Sequence, residues 1–214
     1  MSLQNRMVGN SVMRKTTCFV IVILFYFCSS LSLKAGDYEK AFEALEKGDY
    51  KTAAFYLSFF ASNGDTVAQY NMGLLYRDGL GVERNPTVAL SWFYLAAQQQ
   101  HMLSNYAIAK LMDRYKNLTD KKGRKLHFLK EAAFLGHAIA PLEIGNFYYL
   151  RQETPYDLVR AMVWWILSSD RNAPGAVEAI SSISPKLSQN QMQQVSIKLA
   201  DCDNQTYREC LADF

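Results

Sequence analysis

Proline is scarce in this 214-residue chain, five in all, and glycine is held to 11. So few helix breakers exclude a collagen-like or turn-dense chain and leave room for uninterrupted helices. Histidine is nearly absent, with His101, His127 and His137 the only three. Among the four cysteines, Cys18, Cys28, Cys202 and Cys210, no two stand at the Cys-x-x-Cys spacing of zinc or redox motifs. No His-Glu-x-x-His, Gly-x-Ser-x-Gly or phosphate-loop pattern occurs. Gly79-Leu80-Gly81 imitates half a nucleotide loop, but no strand precedes it. The carboxylates are scattered, without a pair marked as general acid and base. The sequence therefore nominates no catalytic, cofactor-binding or metal-ligating residue. Excess charge is missing too. With 23 Lys+Arg against 20 Asp+Glu, the net +3 is too weak to argue for nucleic acid as a partner.

What is present begins with an address. Arg14-Lys15 precede Cys18 to Phe27, ten apolar residues without a charge, and small residues follow at Ser29-Ser30 and Ala35-Gly36. A basic start, a short apolar core and a small residue at the cut are the parts of a secretory signal peptide. Residues 1–35 are read as that leader, with Met13 an alternative start. The apolar run falls short of the ~20 residues a membrane span needs. Extended to Leu33 it leaves an uncleaved anchor as the alternative, the one case in which a membrane is a partner. A short apolar leader after Met-Arg-Lys points to bacteria, and so to the periplasm, with secretion as the other destination. Cleavage after Ala35 removes Arg6, Arg14, Lys15 and Lys34 and no acid, so the 23 basic residues fall to 19 against 20 acidic. The surplus positive charge belongs to the leader.

The leader also takes Cys18 and Cys28, leaving Cys202 and Cys210 as an even pair in an oxidising compartment, a candidate disulfide. On one straight helix they would stand about 12 Å apart, beyond the roughly 4.4–6.8 Å a bridge tolerates. If they pair, the chain turns between them, and Asp203-Asn204 supplies turn chemistry.

A 36-residue period runs through the remainder. The column Tyr56, Trp92, Phe128, Trp164 keeps phase without an insertion, as do Ala68, Ser104, Ala140, Ala176 and Gly73, Ala109, Gly145. Each unit reads as two helices. Ala68, Met72, Leu75 and Tyr76 form one face of the first. Asp78-Gly79 ends it, and Asn85-Pro86 opens the second with an N-cap and a first-turn proline. Ala89, Trp92, Phe93, Ala96 and Ala97 form the second helix's buried stripe. Gly73 implies a close crossing by a neighbouring helix. Such a hairpin cannot cover its own apolar face, so hairpins must stack. The expected fold is an all-α, α/α solenoid over residues 36–187. Beyond Ile183 the period stops, and residues 188–214 read as a capping helix and tail. Ser188 and Gln191 make a capping box there, with Met192, Val195 and Leu199 on the inward face.

The residues Ala68, Met72-Gly73, Tyr76, Gly79-Leu80-Gly81-Val82, Asn85, Ala89, Trp92 and Ala96-Ala97 resemble the repeat pattern of the Sel1-like family, tetratricopeptide-like helical hairpins. Ile144-Gly145, Tyr148, Asp157, Ala161 and Trp164 repeat part of it, while Arg151 to Pro155 replace the glycine loop. Relatives linked to β-lactams carry a disulfide in each repeat; no repeat here contains cysteine. The resemblance implies a non-enzymatic protein that binds another protein, in an adaptor, assembly or regulatory role in the cell envelope. An envelope hydrolase or a cell-wall-binding module on the same repeats is the alternative.

In such solenoids the first helices line the concave face. By register the candidate partner-binding residues are Tyr70, Leu74 and Arg77, then Tyr106, Lys110 and Asp113, then Leu142, Asn146 and Tyr149. Trp92, Trp164 and Trp165 are expected in the core, and His101 and His137, 36 apart, in structural roles. The stretch Lys121 to Lys125 is expected to be a solvated loop, with a basic docking patch as the alternative.

Overall fold

A computed structural model describes residues 36–115, 124–203, 206–211 and 214. The leader and Lys121 to Gly123 of the basic stretch lie outside these, as does Asn204. The described residues are helical throughout, without a strand. The helices are α1 (36–46), α2 (Tyr50–Ser62), α3 (Thr66–Asp78), α4 (Pro86–Gln98), α5 (Met102–Arg114), α6 (Arg124–Phe134), α7 (Ala140–Arg151), α8 (Asp157–Ser169), α9 (Ala176–Ile183), α10 (Gln189–Asp203) and α11 (Tyr207–Cys210). Helices α1 to α8 pair as successive antiparallel hairpins, the α/α solenoid that the period requires. None of the described helices is long and apolar enough to cross a membrane.

Local chemistry sets the ends. Asn85 Oδ1 accepts from the backbone N–H of Thr87 and Val88, both at 3.1 Å, ahead of Pro86. Gly79, at φ +74°, closes α3 and donates its N–H to the Leu75 carbonyl at 2.8 Å. The two repeat-related histidines serve helix starts as well, His101 as the N-cap of α5 and His137 from two residues ahead of the Ile139 N-cap of α7. His101 Nδ1 accepts from the Ser104 N–H at 3.3 Å, and His137 Nδ1 from the Ala140 N–H at 3.1 Å. Each stands three residues before the group it satisfies, which explains their shared register.

Packing follows the aromatic columns. A Cβ added to Gly73 would lie 2.5 Å from the Phe93 ring, and one added to Gly145 would lie 2.3 Å from Trp165. The notch in each first helix therefore receives an aromatic of its own hairpin, one residue past the Trp92/Trp164 column. Trp164 turns the other way, its ring 6.2 Å from Phe134 of the preceding hairpin. Trp164 and Trp165 are buried as expected, and Trp92 is half-buried against the α1–α3 cluster. The paired aromatics thus serve two contacts, one closing a hairpin and one stacking it on its neighbour.

Helix α9 opens at Ala176, 36 residues after Ala140, and ends at Ile183, and the helix that follows, α10, packs on α8. The Ser188–Gln191 capping box forms, with Gln191 N–H to Ser188 Oγ at 3.3 Å and Ser188 N–H to Gln191 Oε1 at 3.0 Å. Met192 departs from the expected inward face: it is exposed, while Val195, Leu199 and Cys202 face inward. Cys202 and Cys210 are joined by a disulfide, Cα–Cα 5.2 Å, and Leu211 and Phe214 are buried in the main core. Arg208 grips Glu131 of α6 through both carboxylate oxygens at 2.8 and 2.9 Å.

Candidate functional site

The first-helix candidates fall into two groups. Tyr70 and Tyr106 are half-buried and lie against the next unit's cap, with ring centroids 4.8 Å from His101 and 4.0 Å from His137. Burial lowers both imidazoles below their ordinary pKa; at His137 the Glu143 carboxylate opposes that effect and Arg171 adds to it. Burial likewise raises both phenols, and at Tyr106 the Glu143 carboxylate raises it further. Leu74 and Leu142 pack on the core from its margin, and Tyr149 lies 5.5 Å from the Trp165 ring. These side chains hold neighbouring helices together. Arg77 is occupied by an ion pair with Asp78 at 2.6 Å.

Lys110 and Asn146 are placed differently. With Lys125, Glu143, Phe147, Leu150 and Arg151 they line a groove of about 570 Å³ between α5, the start of α6 and α7. Asn146 Oδ1 accepts from Trp165 Nε1 at 3.1 Å, so its amide is fixed from below. Asp113, beside the groove, pairs with Lys125 at 2.6 Å.

Glu143 organises this site, and sequence reasoning did not single it out. One of its carboxylate oxygens accepts from Tyr106 Oη at 2.6 Å and from Lys110 Nζ at 2.9 Å. Both donors belong to the preceding unit, so the carboxylate ties α5 to α7 at the groove's floor. The stride itself was the available signal, since Glu143 follows Tyr106 by 37 residues. The signal for Leu150 is a departure from its column, since Asp78 and Arg114 hold that position in the two preceding units.

Chemically, the groove offers cationic ends, an amide and an apolar wall. Its only lining carboxylate is engaged twice over. Among the described residues no three His, Cys, Asp or Glu side chains converge as a metal site would require.

Comparison with known proteins adds the family. The Sel1 repeat model matches residues 66–101 and 142–172, the α3–α4 and α7–α8 hairpins. These two hairpins are similar to the Sel1 repeat. A Sel1 repeat protein from Oxalobacter formigenes is similar in structure, with TM-score 0.63 and 23% identity over 70% of this chain and 63% of that one. A protective antigen of uropathogenic Escherichia coli with the same repeat fold reaches TM-score 0.57 at 16% identity, over 68% of this chain and 32% of that one. The chain therefore spans less than two thirds of either neighbour, and at these identities the likeness is one of fold. No curated protein matches it. Sel1 repeats generally bind other proteins and are typically non-catalytic.

Proposed function

We propose that this chain is an exported, non-enzymatic Sel1-repeat protein that binds another protein of the cell envelope through its first-helix face. The groove of Lys110, Asn146 and Leu150 carries the reading. It is the place on that face where candidate residues stand open instead of being consumed by packing. Recognition sites combine apolar anchors with cationic and amide groups in this manner. Export is supported by the charge-free run after Arg14-Lys15 and by a disulfide whose persistence needs an oxidising compartment. The periplasm is the proposed destination, with an adaptor, assembly or regulatory role there.

Two measurements test this. Photo-crosslinking side chains placed at positions 110 and 150 should give one shared adduct in envelope preparations, and a probe at Ser196 on α10 should not. Equal adducts from all three positions would remove the face assignment. N-terminal sequencing of the mature chain should begin near Gly36; a start at Met1 or Met13 would replace export of a free protein with an anchored one.

A further inference from the structure

The repeat register allows each unit to serve as a control for the others. At the last turn of the first helices, Asp78, Arg114 and Leu150 share one column. Two units place a charge there. The third places a leucine that is 81% exposed, the most exposed large apolar side chain among the described residues. One turn earlier, Leu75 and Leu111 are buried, whereas their counterpart Phe147 is only partly buried and lines the groove. The α7 unit thus turns two apolar groups outward where its siblings hide or replace them. No packing requirement of the solenoid explains this, because the same fold is made twice without it.

Charge around those two groups is equally local. The groove is lined by Lys110, Lys125 and Arg151 against the single acid Glu143, a surplus of two positive charges on a chain that is close to neutral without its leader. The cations do have partners. Lys110 shares Glu143 with Tyr106, Lys125 meets Asp113, and Arg151 meets Glu153. Half-exposed pairs of this kind are worth ~0–1 kcal/mol each, so an incoming carboxylate can compete for these cations at small cost. The cations flank the apolar pair: Arg151 stands on the same helix end as Leu150, and the two lysines face it from the preceding unit.

We infer that the groove receives an extended acidic segment of a partner protein, with an apolar side chain seated on Phe147 and Leu150 and carboxylates on either side engaging Arg151 and the Lys110–Lys125 pair. This rests on the first-helix face being the binding face and adds the chemistry of what binds. At about 570 Å³ the groove is of the ~300–1,000 Å³ class that holds a ligand of a few side chains, not a folded domain. Alternating residues of an extended strand point to opposite sides, so alternation of acid and apolar residues in the ligand presents one kind to each wall.

The probe is a fluorescein-labelled eight-residue peptide alternating glutamate with leucine and phenylalanine, titrated with the full chain in non-ionic detergent and followed by anisotropy. Controls replace glutamate by lysine, or leucine and phenylalanine by serine. The acidic-apolar peptide should bind at least tenfold more tightly than either control, and its affinity should fall as salt rises from 50 to 300 mM. Leu150→Ser and Arg151→Ala should each weaken it by fivefold or more without shifting the thermal melt. Equal binding of the lysine peptide, or indifference to both substitutions, overturns the inference. Competition by inorganic polyphosphate at equal charge concentration, with the serine peptide binding as well as the apolar one, would mean a general anion surface and also overturns it. The envelope crosslinks from positions 110 and 150 report on the face alone. Specific crosslinks with no preference for the acidic peptide leave the face standing and remove the acidic chemistry.

Discussion

Gly145→Ala sets two known effects against each other. In an exposed helix interior the change stabilises, by ~0.5–1 kcal/mol, because alanine has less backbone freedom to lose. At Gly145 the added carbon would lie 2.3 Å from Trp165 Cδ1, 2.4 Å from its Nε1 and 3.0 Å from the Ala161 carbonyl oxygen. Carbon contacts relax only near ~3.5–4.0 Å, so the indole must retreat by more than about 1 Å. It is not free to do so. Trp165 is 2% exposed, and its Nε1 donates to the Leu142 carbonyl at 3.2 Å and to Asn146 Oδ1 at 3.1 Å. Overpacking a fixed core costs ~1–3 kcal/mol, and straining those hydrogen bonds adds ~1 kcal/mol.

After the propensity gain is subtracted, a net loss of ~1–3 kcal/mol remains. At ~2–4 °C per kcal/mol for a chain of this size, the melting temperature should fall by roughly 2–12 °C. Urea unfolding followed by circular dichroism gives the free energy directly, with an unchanged slope showing that the fold is retained. The decisive companion is Trp165→Leu, which leaves room beside position 145. In that background Gly145→Ala should be neutral or stabilising, a coupling of at least ~1 kcal/mol between the two sites. If Gly145→Ala alone melts at or above the parent, the close-crossing explanation for the Gly73/Gly145 column is refuted.

Three further outcomes follow from other parts of the chain. His101 and His137 accept helix-start N–H groups in the neutral form and burial lowers both pKa values, so their contribution is complete above the unfolded value near ~6.5 and is lost as pH falls through the lowered folded values. Urea midpoints measured from pH 7.5 to 5 should show this decline, and His137→Asn, which caps without titrating, should flatten part of it. Replacing both Cys202 and Cys210 by serine releases a loop with eight-residue separation and should cost ~2–3 kcal/mol, with hydrogen exchange rising first in α10 and α11. Asn85→Ala removes both acceptor contacts at the start of α4 and should cost ~1 kcal/mol, read as a lower urea midpoint with the slope unchanged.

What could be read from the sequence follows from what repetition demands. Stacked hairpins meet the same packing problem every 36 residues, so Ala53, Ala89 and Ala161 recur wherever helices touch, and a fold built on them can be inferred without coordinates. Capping was legible for the same reason, because Asn85 and Ser188 act on backbone groups only two or three residues away. Met192 shows where this ends. Its helix has the apolar spacing of an inward face, yet α10 turns Val195, Leu199 and Cys202 inward where it packs on α8 and is bridged to a tail with no counterpart in any repeat. Glu143 shows another limit, since one carboxylate gains its role only from Tyr106 and Lys110 of the unit before.

The groove has a third kind of legibility. A repeat pattern fixes what packing needs at each column, so a residue that breaks its column without a packing gain is freed for something else. Leu150 breaks a column of charges, and Phe147 leaves a column of buried leucines. Neither substitution improves the solenoid, and exposing a leucine works against solubility. Columns therefore report stability and departures from them report function, and this test needs only one sequence and its period. It fails where packing itself departs, as at Gln152, whose left-handed backbone (φ +40°) ends α7 in place of the glycine that ends α3. The same stretch of five residues that lost the glycine loop begins with Arg151. Remodelling of the loop and exposure of the apolar pair thus occur at one helix end, where a change of turn could open the groove without disturbing the hairpin beneath it.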